Sequence, residues 1–102
     1  MSSRNIAAYP NQTTNTFSME LLQNAPNPFI EMTLLWFTLP AKSRVILRVF
    51  DSRGQEVFSK GGDFEKGENH MLIRRADLKE PGIYAYQMES EYGIARRRLV
   101  MY

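Results

Sequence analysis

The chain has 102 residues, of which 43% are apolar and 12% aromatic; that is the size and composition of one globular domain and not of a disordered segment. Thirteen basic residues against eleven acidic ones leave a formal charge of +2, too small to argue for a nucleic-acid partner. With no cysteine there is no disulfide framework, thiolate chemistry or cysteine metal site.

Residues 1–18 are rich in Ser, Asn, Thr and Gln, with Pro10 among them. They read as a flexible polar N-terminal tail or linker ahead of a domain spanning residues 19–102. Arg4 is not followed by an apolar stretch, so this is not an intact secretory signal. Next comes Asn24-Ala25-Pro26-Asn27-Pro28-Phe29. Each proline fixes its own φ, lacks an amide hydrogen and pushes the residue before it toward extended backbone. A central strand does not tolerate two missing donors. Leu21 to Phe29 is therefore predicted as an edge strand or rigid extended lead-in, with Phe29 packed on the core.

Beyond it the apolar residues alternate with a period of two, which marks strands with one dry face. Leu35, Phe37 and Leu39 are predicted inward, with Met32, Leu34 and Trp36 outward; the whole run is too short to span a bilayer. Val45, Leu47 and Val49 are predicted inward, with Ile46 and Phe50 opposite. Asp51 to Glu56 reads as a turn in which Asp51 bonds nearby backbone and Gly54 takes positive φ. A short return strand follows at Glu56 to Lys60. The stretch around Gly61, Gly62 and Gly67 reads as a glycine-rich connection, and Met71 to Arg74 as another strand. After the Pro81-Gly82 turn, Ile83 and Ala85 are predicted inward, with Tyr84 and Tyr86 outward. Tyr92-Gly93 turns into a last strand at Ala95 to Tyr102. No helix is predicted. An all-β, antiparallel sandwich of about seven strands is the fold expected from this spacing.

No constellation of reactive groups emerges, so no catalytic, metal or cofactor-binding residue is assigned. His70 is the sole histidine and reads as a half-exposed strand residue. Asp51, Glu56, Asp63, Glu65 and Asp77 read as solvated turn or strand-face acids. The glycines lack phosphate-loop spacing, and the acids lack that of a calcium loop. Arg96-Arg97-Arg98 is the one local charge run. It suits either a site for phosphate, lipopolysaccharide or an acidic partner, or protection of an edge strand against pairing.

Several segments occur in a fixed order: Leu21 to Phe29, Leu39 to Val57, Lys66-Gly67-Glu68-Asn69, Leu78 to Met88 and the terminal Arg96 to Tyr102. Together, from about Met19 to Tyr102, they resemble the type A C-terminal sorting domain of the type IX secretion system of Bacteroidota. The resemblance implies an immunoglobulin-like sandwich that addresses cargo for export, leaving the protein secreted or at the cell surface. Its implied partners are an outer-membrane β-barrel shuttle protein and the translocon. A sortase-like protease would cut before Leu21 and join the cargo to anionic lipopolysaccharide. Pro26, Asn27, Pro28, Phe29, Asp51, Gly54, Gly67, Gly82 and Tyr84 are the structural motif positions. Arg96, Arg97, Arg98, Leu99, Val100, Met101 and Tyr102 are the partner-binding candidates, through strand pairing with the barrel's loops and contacts to acidic rim groups.

The chain departs from the family's pattern at Ile73, where many members carry an aromatic residue. It departs also in its apolar outward positions, of which Leu34, Trp36 and Ile46 suggest a second interface, for instance with a cell-surface protein. Only a short polar tail precedes the domain. That fits either a piece of a larger secreted protein or a free-standing domain acting as adaptor or plug on the barrel. The alternative is an extracellular carbohydrate-binding or adhesion module, with Trp36, Tyr84, Tyr86 and Tyr92 stacking on sugar rings. A structural sandwich of the flagellar hook-cap kind shares the same fold.

Overall fold

A computed structural model describes residues 18–102; the expected N-terminal tail, apart from Ser18, lies outside the described residues. The chain forms β1 (Glu20–Leu21), β2 (Met32–Leu39), β3 (Ser43–Phe50), β4 (Glu56–Phe64), β5 (Gly67–Arg74), a single turn of helix α1 (Arg75–Leu78), β6 (Gly82–Ser90) and β7 (Gly93–Met101). One sheet has the order β1-β2-β5 and the other β4-β3-β6-β7, and every strand pair is antiparallel. This is an all-β sandwich of seven strands with immunoglobulin-like topology.

The alternation predicted for the first two long strands holds. Leu35, Phe37 and Leu39 of β2 and Val45, Leu47 and Val49 of β3 lie in the core. Leu34, Trp36, Ile46 and Phe50 face outward and are half-buried, while Met32 is exposed. Asp51 closes the β3–β4 hairpin as expected. Its Oδ1 accepts from the amides of Arg53 (2.9 Å) and Gln55 (3.0 Å), and Gly54 has φ +85°.

Three expectations change. First, β6 runs in the opposite phase: Tyr84, Tyr86 and Met88 are buried, whereas Ile83 is 55% exposed and Ala85 half-buried. The two tyrosines can enter the core because each hydroxyl finds a carbonyl. Tyr84 donates to Glu80 O, a tyrosine corner at the start of β6. Tyr86 donates to Leu22 O at 2.9 Å. Inward tyrosines then bury far more apolar area than Ile83 and Ala85 would.

Second, the glycine-rich stretch is mostly strand. Gly61 and Gly62 pair with Ile46 and Val45, and only Glu65 and Lys66 connect β4 to β5. A Cβ at Gly61 would lie 2.9 Å from Nη2 of Arg44, and one at Gly62 would lie 3.0 Å from the ring of Phe64. Glycine here admits neighbouring side chains over a strand and does not loosen a loop. Phe64 meets Phe37 edge-on, with ring centroids 5.1 Å apart.

Third, α1 interrupts the all-strand pattern. Asp77 Oδ2 accepts from the Arg74 amide at 2.9 Å, closing the first turn, and Leu78 plugs the core. One turn is too short to leave a periodic trace in the sequence.

The lead-in has the predicted role with a more angular path. Leu22 N donates to Trp36 O (2.9 Å), and Ala25 exchanges two backbone bonds with Leu34, so the segment continues the edge of the three-stranded sheet. It bends at Pro26 to Pro28, where both X-Pro peptide bonds are cis, and Phe29 reaches β7 in a parallel bridge to Met101. Buried Asn24 donates from Nδ2 to Thr33 Oγ1 (2.9 Å) and Pro26 O (3.1 Å). Thr33 Oγ1 donates to Pro26 O at 2.8 Å. These bonds satisfy the buried polar side chains of Asn24 and Thr33. Phe29 is fully buried.

Candidate functional site

The terminal strand divides the expected contact residues between two faces. Leu99 and Met101 point into the core, so their side chains stabilise the fold and are not presented to a partner. Arg97 lies on the same inward-facing side, and its Nε donates to Leu21 O at 2.8 Å, tying β7 to β1. Arg96, Arg98 and Val100 face outward by alternation, and Tyr102 is exposed. The arginine run is therefore two outward cations and one that braces the sandwich, not a single patch of three.

The outward pair borders an open depression of about 410 Å³, lined also by Arg97, Asp51, Ser52, Ile83, Tyr84 and Ala85. The Arg96 guanidinium lies 5.1 Å from the ring centroid of Phe50, and its Nε donates to Gln87 Oε1 at 3.1 Å. Both contacts preorganise the cation. Further along the sheet, Glu89 Oε2 accepts from Arg48 Nε at 2.7 Å and from Gln87 Nε2 at 2.8 Å. The bond from Arg48 is the main cause that holds the Glu89 carboxyl below its usual range. At the turn, donation from the Gln55 amide does the same for Asp51.

The backbone edge of β7 is closed over its second half. Gln23 Nε2 donates to Arg98 O (2.8 Å), Val100 N to Asn27 Oδ1 (2.9 Å), Phe29 N to Val100 O (3.0 Å) and Tyr102 N to Phe29 O (2.9 Å). Arg75 Nη1 adds bonds to Ile30 O and Tyr102 O. Strand pairing of a partner with Arg98 to Tyr102, as expected from sequence, would have to displace these bonds. Gln23 and Arg75 were not foreseen as part of this unit. The sign for Gln23 is chemical: a proline-rich lead-in lacks amide donors, and side-chain amides replace them. Nothing in sequence marks Arg75.

The motif positions take up defined places. Asn27 and Phe29 latch β7, Asp51 and Gly54 make the β3–β4 turn, Gly67 (φ +106°) begins β5 and Gly82 begins β6 beside Tyr84. Ile73 is fully buried.

The suggested second interface does not form one surface. Leu34 and Trp36 lie on the outer face of the three-stranded sheet, whereas Ile46 lies on the outer face of the other sheet. Alternation points each residue away from the shared core, hence to opposite sides of the sandwich. The sugar-stacking set is broken up as well: Tyr84 and Tyr86 are buried and Tyr92 packs partly against the core. Trp36 stays outward, its ring centroid 4.8 Å from that of His70. Among the described residues no three of His, Cys, Asp or Glu converge as a metal-binding group, and no helix is long and apolar enough to cross a membrane. No family model matches the sequence, and comparison with curated proteins finds no match.

Proposed function

We propose that this chain is a sorting domain of the type IX secretion system, docking on an outer-membrane β-barrel shuttle protein and thereby addressing cargo to the secreted or cell-surface fraction. As a free-standing domain it would act as an adaptor or plug on the same barrel. One observation supports the reading above the others. The first and last motifs of the family resemblance, separated by 75 residues between Gln23 and Arg98 and by 73 between Asn27 and Val100, form a single hydrogen-bonded unit. A receptor that engages this unit reads a folded domain and not a linear tail. The groups facing outward there are Arg96, Arg98, Val100 and Tyr102, beside the depression at Ser52 and Ile83. Two outward cations bordering a depression that also holds Ile83 and Ala85 suit an acidic rim on the partner, with the charges acting chiefly on association rate and salt dependence.

The test is retention of a barrel protein, identified by mass spectrometry, from a Bacteroidota outer-membrane extract on the immobilised domain. The double variant Arg96→Glu, Arg98→Glu should lower recovery at least tenfold at low salt, with unchanged circular dichroism. Equal recovery by both proteins overturns the docking face. No barrel on the unaltered domain overturns the sorting assignment itself.

A further inference from the structure

The outer face of the three-stranded sheet has an order that the sorting reading does not use. Cross-strand pairs put Met32 beside Arg74, Leu34 beside Leu72, Trp36 beside His70, and Thr38 beside Glu68. Alternation points all eight side chains away from the core. The face thus has an apolar centre built on Leu34, Leu72 and Trp36, a cation at one end and, at the other, the carboxylate of Glu68 with that of Glu20 on the far side of Thr38. Arg74 and Glu68 are both exposed and neither forms an ion pair among the described residues. Lone apolar surface residues are ordinary, but a contiguous apolar strip holding a tryptophan marks an interface.

The charge order selects the occupant. A two-fold axis lying in the plane of this face, across the strands and through its centre, sets a second copy on the first with strands reversed. Arg74 of each copy then meets Glu68 of the other, and the Leu34–Leu72 pair of each meets the Trp36–His70 pair of the other. An isologous contact needs this self-complementarity, with each residue's partner on the other copy also meeting that residue's counterpart. The geometry points to a homodimer formed through the outer face of the three-stranded sheet, with Arg74–Glu68 pairs at both ends. Strand rise and spacing make the face about 20 Å by 10–15 Å, small for a permanent dimer, so the association is weak and reversible, with a Kd in the micromolar range. This inference is independent of the sorting assignment, because the docking depression lies on the other sheet.

Charge exchange tests it. Sedimentation velocity on the full chain at low salt, from about 5 to 500 µM, should show a concentration-dependent monomer–dimer shift that salt weakens. Arg74→Glu and Glu68→Arg should each raise Kd at least tenfold, since each variant sets like charges together at both ends. Mixing the two single variants should restore dimers, because one copy then offers two carboxylates and the other two cations. Trp36→Ser should also weaken association, with thermal melts showing that all variants remain folded. Unaltered protein that stays monomeric at 500 µM overturns the proposal. So does a dimer that ignores the charge variants, or a mixture of the two variants that remains monomeric.

Discussion

Tyr84 and Tyr86 sit two residues apart on one face of β6, yet their hydroxyls live in different surroundings. Tyr84 donates to the carbonyl of exposed Glu80, where water can replace a lost partner. Tyr86 is 0% exposed and donates to the carbonyl of half-buried Leu22, where its own ring keeps water away. Removing a hydroxyl whose acceptor can be rehydrated costs about 0.5–1.5 kcal/mol, whereas stranding a buried acceptor costs about 1–3 kcal/mol. Urea denaturation should therefore rank Tyr86→Phe as more damaging than Tyr84→Phe. The reverse order would mean that the tyrosine corner, and not the bond to Leu22, governs this strand. Sequence pattern alone could not settle the phase of β6, because Ile83-Tyr84-Ala85-Tyr86 alternates two apolar sets. The decision rests with the carbonyl of Leu22, 64 residues away, and that of Glu80, just before the strand, neither of which alternation reports.

Among the elements, those whose period is imposed by burial were legible. β2 and β3 carry unambiguous alternation, and the Asp51 turn carries its own chemistry in Asp51 and Gly54. Elements shaped by tertiary contacts were not. Gly61 and Gly62 look like a loop until the Arg44 guanidinium and the Phe64 ring are placed over them. The candidate site was half legible: the last strand was recognisable, but the division of Arg96, Arg97 and Arg98 between faces follows from a register set by β6. Nor does sequence reveal that the lead-in closes the edge of β7. That closure makes a local prediction. Asn27→Ala removes the acceptor of the Val100 amide and should cost about 1 kcal/mol. Native-state hydrogen exchange should quicken at Val100 while the amides of β3 are unchanged. Uniform loss of protection across both sheets would show that the latch is no separate unit.

For the whole molecule, the perturbed side chains define a window of pH. Asp51 is held low chiefly by the Gln55 amide and Glu89 chiefly by its bond from Arg48. A folded value below the unfolded one gives stability that is present above the ordinary carboxylate range and lost as pH falls through the folded value. Burial pushes the Tyr86 phenol up to about 12 from its usual 10. Its contribution is complete below the unfolded value and is lost as pH rises through the folded one. Thermal melts should show a Tm plateau from about pH 5 to 9 with a decline on each side; a Tm that climbs on acidification below pH 4 contradicts these assignments. The same whole-molecule view gives the pairing of lead-in and terminal strand a temporal meaning. Phe29 cannot complete its bonds until Val100 and Tyr102 have arrived, and such distant contacts form only after a large loop-closure cost has been met. A chain emerging N-terminus first from the ribosome therefore keeps its sandwich unlatched until the last strand is clear. The domain's closed state reports, in effect, that β7 has emerged.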